Sequence, residues 1–305
     1  MVTWKRTLRE LKKIKIQGAS QIALTSLLTL KGMPFKKRAA ETIKSIKLFK
    51  NGILCRRPTE PLVINLFGII EKRLGVKKSL DRKSVTNEVE RLIKAYEEIE
   101  AKIVKRGSLL IKSRENIFTH CHSSLVEKIL VKARKDGKNF HVYNSETRPL
   151  FQGRITAKNL IKNHIKVSQV CDSAAAFLIS DHSGDDIKIN KLIIGADAVG
   201  LNGWAVNKIG SFGLALAAWE SRIPVYVATS LLKIDPKSRV NIRIPLEKRS
   251  SREIWPEAPR GLKLENYAFD YIPAKFITAF ITEFGLIKPS GIRLLVKSHY
   301  QDLLK

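Results

Sequence analysis

The stretch "FTHCHSS", residues 118–124, sets a thiol, Cys121, between two imidazoles, His120 and His122, and follows it with two hydroxyls. A metal site would use these groups as ligands, but on an extended strand Cys121 faces away from both histidines. No second Cys/His cluster offers the remaining ligands, and His141, His164 and His182 stand isolated, so no metal is expected. A second reading places Cys121 where a strand becomes a helix, with Ser123 and Ser124 positioned to cap it. Such a helix start presents unpaired N–H groups and partial positive charge, which lower a thiol pKa and hold anions. A third reading is a buried structural cysteine, the role that fits Cys55 and Cys171. Residue types alone leave the second and third readings open.

Asp197 ends the run "LIIGAD". A carboxylate at the tip of an apolar strand is partly desolvated and suited to carry a proton near neutral pH, although a turn cap would place the same residue there. Asn207-Lys208 then precede Gly210-Ser211, which opens a helix, and "KIQGASQIA" (residues 15–23) repeats the theme of small residues entering a helix. Two such anion cradles would suit a substrate with two phosphates, or with one phosphate and another polar end. Simple chain reversal explains each glycine equally well.

The elements that must position these groups fall into two sets. The first hundred residues read as helices. "VTWKRTLRELKKIKI" carries an apolar stripe of Trp4, Leu8, Leu11 and Ile14, and "FKKRAAETIKSIKLFKNG" stops at an Asn51-Gly52 C-cap signal. A last helix opens at Ser84. After Gly107 short β-rich runs appear at 116–120, 139–145, 166–173, 191–197 and 224–230, with helical segments between most of them. This predicts a helical N-terminal domain over 1–106 and a parallel α/β sheet domain over 107–305. Ligands bind such sheets at the carboxyl ends of strands. His120-Cys121-His122, Glu146-Thr147-Arg148, Asp172-Ser173, Asp197 and Thr229-Ser230 should therefore share one rim.

Composition sets outer bounds. The 305 residues are 44% hydrophobic and 28% charged, as in globular proteins, and no apolar run is long enough for a transmembrane helix. The basic N-terminus lacks the apolar core of a secretory leader. Three cysteines without a CxxC pair argue for a reducing, cytoplasmic setting. A formal net charge of +28 attracts polyanions, but the lysines are spread through every segment. With no arginine-rich tail or aromatic-studded basic strand pair, a nucleic-acid partner is not expected.

In order, "RRPTEPLVINL", "FTHCHSS", "ETRPLFQGRITAKNL", "CDSAA", "IIGADAVGLNGWAVNKIGS" and "FDYIPAKFITAFITEFGLI" resemble the signature of the family of aldose-1-phosphate isomerases and initiation factor 2B regulatory subunits. The resemblance runs from about Gln17 to Gly291. It is nearest the archaeal-type ribose-1,5-bisphosphate isomerases, then the 5-methylthioribose-1-phosphate isomerases, then the non-catalytic initiation factor subunits. It implies a helical N-terminal domain on a Rossmann-like C-terminal domain, and a homo-oligomer, dimer or hexamer. It also implies a sugar phosphate substrate, a place in AMP metabolism and nucleotide salvage, and no cofactor. Cys121 would be the general base and Asp197 the general acid. Gln17, Gly18, Ala19, Ser20, Arg57, Ser123, Ser124, Asn207, Lys208 and Lys233 would bind substrate and phosphate, while Glu146, Arg148 and Gln152 would order the rim. Two positions depart from the pattern: Gln17 stands where the family loop has arginine, and Tyr271-Ile272 where the isomerases have a smaller Val-Thr pair.

Overall fold

The computed structural model describes residues 4–34, 38–180, 187–240 and 244–303; His182 and the first residues of the third helical segment lie outside them. Five helices come first: α1 (Trp4–Lys12), α2 (Ala19–Leu30), α3 (Ala39–Leu54), α4 (Pro61–Gly75) and α5 (Arg82–Leu109). Leu8 and Leu11 of α1 are buried as their spacing predicts. Ile14 is not on that stripe, because α1 ends at Lys12 and Ile14 takes a left-handed φ of 57°. Nor does α3 stop at Asn51-Gly52: it continues to Leu54, and Gly52 serves packing instead, since a Cβ there would lie 3.0 Å from the Leu8 side chain. Asp81, rather than Ser84, caps α5, its carboxylate accepting the Ser84 N–H at 2.8 Å. Leu11, Ile22, Leu27, Phe49, Leu66 and Phe67 meet Val89 and Tyr96 of α5 in one apolar core.

Helix α5 runs on into a second core, where Ile103 packs among the sheet residues. Gly107 thus lies in the last turn of a continuous 28-residue helix, close against Ile129. The sheet follows with β1 (Asn116–Thr119), α6 (Ser124–Lys135), β2 (His141–Ser145), α7 (Gln152–Lys162), β3 (Lys166–Val170), α8 (Asp172–Ile179) and β4 (Lys191–Gly195). A hairpin of β5 (Ala198–Val199) and β6 (Ala205–Lys208) turns at Asn202-Gly203, with Gly203 at φ 81°. Then come α9 (Ser211–Glu220), β7 (Val225–Ala228), β8 (Phe269–Ile272), β9 (Ala279–Thr282), β10 (Gly285–Ile287) and α10 (Ile292–His299).

All five β-rich runs read from the sequence are strands of one seven-stranded sheet, ordered β10-β9-β7-β4-β1-β2-β3. Six strands are mutually parallel and only β10 runs antiparallel, at the edge. Alternate residues face opposite layers. Ile117, Ile193 and Ile281 pack with α5 and α6, whereas Phe118, Leu192, Ile194 and Phe280 pack with α8, α9 and α10. In this doubly wound order the chain reverses direction between β1 and β4, where such sheets open a crevice at their carboxyl ends. A smaller antiparallel sheet, β5-β6-β8, sits beside that crevice. No described helix is long and apolar enough to cross a membrane.

Candidate active site

A cavity of about 380 Å³ opens at the β1/β4 switch point. Cys121, His122, Ser123 and Ser124 line it from the end of β1, and Gly195, Ala196 and Asp197 from the end of β4. The two strand ends meet closely: a Cβ on Gly195 would lie 2.6 Å from Ser123 Oγ. Gln17, Gly18, Ala19 and Ser20 form another wall, and Arg57, Asn207, Lys208 and Lys233 complete the set of expected residues, all twelve of which face this space. Lys15, Gln21, Leu125, Gln152, Ile155, Arg249 and Phe269 also line it.

Cys121 is held by a turn rather than a strand. Its φ of 65° is left-handed, its N–H donates to Thr147 Oγ1 at 3.0 Å, and its carbonyl accepts from Thr156 Oγ1 at 2.9 Å. This bend puts the thiol on the same cavity as His122, which strict strand alternation does not predict. Ser123 Oγ caps α6 by accepting the Val126 N–H. The half-buried residue is not a resting thiolate, however. Desolvation by the surrounding protein pushes the thiol up to about 11, against the opposing pull of the Lys208 ammonium and the His122 N–H. The local field of a helix start, the basis for expecting a thiolate, is outweighed by burial.

The two histidines belong to separate hydrogen-bond systems. His120 is buried, donates from Nε2 to the Ile209 carbonyl at 2.8 Å, and receives the Ser145 hydroxyl on Nδ1 at 2.5 Å. It is neutral, its pKa lowered by burial to about 4, and it ties the end of β1 to the loop after Lys208. His122 is half-exposed and packs Nδ1 at 3.1 Å from Thr156 Oγ1 and 3.6 Å from Glu127 Oε2. Among the described residues no group of three or more His, Cys, Asp or Glu side chains is arranged to hold a metal ion.

The phosphate-loop segment enters α2 through Gly18, whose φ of 79° suits glycine, and no side chain among the described residues caps that helix start. Gln17 is fixed by its own bond to the Ile14 carbonyl and by the amide of Gln152, which donates to Gln17 Oε1 at 3.1 Å. The second expected cradle, at Gly210-Ser211, is filled from within. The Asp270 carboxylate accepts the Gly210 and Phe212 N–H groups at 2.7 and 3.0 Å, so the start of α9 is not open to a ligand. Asn207 and Lys208 reach the cavity from β6 instead, with Lys208 Nζ 4.9 Å above the Phe269 ring. Lys233 Nζ donates to the Ala196 carbonyl at 2.8 Å, next to Asp197.

Behind Arg57 lies a buried ionic cluster. Arg57 donates from Nε to Glu247 at 3.0 Å and from Nη2 to Glu60 at 3.2 Å, while its Nη1 has no hydrogen-bond partner among the described residues. Arg249 approaches Glu247 and Glu253 at 3.6 and 3.4 Å. Other expected rim groups act as supports. Asp172 accepts the Thr147 and Arg148 N–H groups, and Glu146 pairs with Arg154. Thr229-Ser230 does not line the cavity; Ser230 caps the following turn and bonds Glu283. Tyr271 is directed away too, donating its hydroxyl to the Ile244 carbonyl and packing edge-on against Trp204, so this departure from the family pattern spares the cavity wall. Arg249 carries no separate sequence signal among 56 lysines and arginines, whereas Lys15, the lysine next to the Gln17 departure that could replace the missing charge, does line the cavity.

Comparison with known proteins matches this arrangement to one family. The Initiation factor 2 subunit family covers residues 15–289. A ribose 1,5-bisphosphate isomerase of Methanocaldococcus jannaschii is 33% identical over 99% of this chain and 96% of its own. A methylthioribose-1-phosphate isomerase of Acetivibrio thermocellus is 34% identical over 92% and 86%. Among solved structures, translation initiation factor eIF-2B of Pyrococcus horikoshii superimposes with a TM-score of 0.79 at 25% identity, covering 94% of this chain and 97% of that one.

Proposed function

We propose that this chain, which belongs to the Initiation factor 2 subunit family, is an intramolecular aldose–ketose isomerase that converts ribose 1,5-bisphosphate to ribulose 1,5-bisphosphate. The observation that carries this reading is the cavity itself. Cys121 and Asp197 face one space in which Lys15, Lys208 and Lys233 stand without an ion-pair partner among the described residues, beside Arg57 and Arg249, which are paired with Glu60, Glu247 and Glu253. Two phosphates match that unpaired positive charge. Lys15 supplies charge beside Gln17, where the family loop carries arginine.

A sugar 1-phosphate cannot open to a free aldehyde, because its C1 oxygen is esterified. In this mechanism Cys121 as thiolate removes the C2 proton, the C1–ring-oxygen bond breaks, and Asp197 protonates the departing ring oxygen. The resulting cis-phosphoenolate takes a proton at C1. Acid–base groups of this kind contribute about 100- to 10,000-fold each, and anchored phosphates supply orientation. The chemistry calls on no metal or cofactor. We read the protein as a cytoplasmic homo-oligomer, without nucleic acid or membrane as partner.

Purified protein given ribose 1,5-bisphosphate should yield ribulose 1,5-bisphosphate, and Cys121→Ser and Asp197→Asn should each lose at least about 100-fold in kcat. Because the thiol is held at about 11, the thiolate fraction climbs by about tenfold per pH unit across the neutral to mildly alkaline range, and kcat/KM should follow it over the pH range in which Asp197 keeps its proton. Turnover of 5-methylthioribose 1-phosphate alone would move the substrate assignment. Binding without turnover of either sugar would make the chain a regulatory subunit.

A further inference from the structure

Converting an aldose 1-phosphate to a ketose moves three protons, and the mechanism above names groups for only two of the sites. One proton leaves C2 and returns at C1, and one is delivered to the ring oxygen. The third must leave the hydroxyl on C2 as that carbon becomes a carbonyl. Among the cavity-lining residues, the thiol, carboxylate and imidazole side chains are Cys121, Asp197 and His122; the other ionisable ones are lysines and arginines. Cys121 holds the C2 proton at that point, which leaves the Asp197 carboxylate formed on protonating the ring oxygen and the His122 imidazole as the two bases in reach of the cavity. We propose that His122 is a third catalytic residue, and that its Nε2 removes the C2 hydroxyl proton.

The hydrogen bonds around the ring fix which nitrogen is free. Thr156 Oγ1 has one hydrogen, and it is donated to the Cys121 carbonyl at 2.9 Å. The 3.1 Å contact between His122 Nδ1 and Thr156 Oγ1 must therefore be a donation from Nδ1–H. Glu127 Oε2, 3.6 Å from the same nitrogen, favours that tautomer and would steady the imidazolium formed in the reaction. Glu127 is itself held by Asn159, whose amide donates to Oε2 at 2.9 Å. Nε2 is left with a lone pair and no partner among the described residues, on a ring that lines the cavity next to the thiol. Burial lowers the His122 pKa, with Glu127 opposing, which keeps the ring neutral and ready to accept at physiological pH. This is the carboxylate-oriented imidazole of a general base.

The electron bookkeeping closes. The C2–H pair becomes the C1=C2 bond as its proton passes to Cys121, the C1–ring-oxygen pair leaves with the ring oxygen, and Asp197 supplies its proton. Nε2 then takes the hydroxyl proton, the O–H pair becomes the carbonyl bond, and the C1=C2 pair takes the Cys121 proton at C1. The enzyme ends with imidazolium His122 and carboxylate Asp197, and transfer of one proton from the first to the second through water restores both.

This proposal rests on the isomerase reading, and one assay separates the two. Wild type and His122→Asn, whose amide can replace Nδ1–H toward Thr156, are given ribose 1,5-bisphosphate deuterated at C2. In the variant, conversion should fall at least about 100-fold with KM within about threefold. Deuterium should also leave the recovered substrate faster than product forms, because the C2 step still runs and reverses. Conversion within about threefold of wild type, a loss confined to KM, or equal losses of conversion and wash-out would each overturn the role of His122. Inert wild type would instead overturn the isomerase reading, and this proposal with it. If His122→Asn does not fold, Glu127→Gln takes its place: kcat should drop by about tenfold at unchanged KM with wash-out retained, and unchanged kcat overturns the proposal.

Discussion

Glu60 has no exposed surface, and one of its carboxyl oxygens has no hydrogen-bond partner among the described residues, yet it stands beside Arg57 at the back of the cavity. Burial pushes its pKa to about 8; Arg57 and Lys233 pull it down, and Asp197 and Glu247 push it up. The fold therefore favours the protonated acid. A raised carboxyl pKa contributes stability that is complete below the unfolded value of about 4.5 and is lost as pH rises through about 8. The melting temperature of the wild type should fall between those two pH values by more than that of Glu60→Gln, which carries a neutral amide at every pH. Parallel melting curves for the two proteins across that window would remove Glu60 as the source. At neutral pH the neutral acid also leaves the Arg57 charge less compensated and available to a phosphate, so Glu60→Gln should bind substrate about as well as wild type.

At the scale of elements, the site depends on how closely β4 approaches the start of α6. Gly195→Ala would force a Cβ to within 2.6 Å of Ser123 Oγ, the atom that caps α6. Overpacking of this kind costs about 1–3 kcal/mol, and a displaced Ser123 loses its cap as well. The variant should melt lower and lose most of its kcat, since Cys121 and Asp197 sit on the two elements pushed apart; unchanged melting and activity would show the approach to be slack. The sequence makes these elements legible because each central strand is a short apolar run ending in small or polar residues, buried on both faces. It does not reveal β9 and β10, whose Phe280, Ile281, Leu286 and Ile287 follow no single period. Arg249 is equally hidden, since it comes to the cavity through a loop joined to Arg57 across Glu247, and that contact spans 190 residues. The protonated state of Cys121 escapes a sequence reading for the same reason: a helix start is local, whereas desolvation is a property of the finished packing.

For the molecule as a whole, a charge of +28 sets like surfaces against each other, so self-association needs a face where the charge is missing. Helices α8 and α9 provide one. They pack side by side, and neither "DSAAAFLI" nor "SFGLALAAWE" contains a lysine or arginine, although the chain has 56. Phe212, Leu216 and Trp219 recur at four and three residues on α9 and stay 42%, 39% and 50% exposed, with Phe177 of α8 at 56%. An exposed aromatic and aliphatic stripe on an otherwise cationic surface is the composition of an interface core. Two copies meeting there would bury these rings together with Lys275, whose Nζ lies 6.0 Å from the centre of the Trp219 ring. Wild type should then sediment at twice the 34.5 kDa chain mass or more, and Trp219→Glu should shift it toward the single chain. The monomer itself should be little disturbed, because the half-exposed Trp219 ring loses its contacts with Phe276, 5.5 Å away, and Lys275, 6.0 Å away, and a glutamate can still pair with that lysine. A wild type that sediments as a single chain, or a Trp219→Glu variant that keeps the full assembly, would place the contact elsewhere.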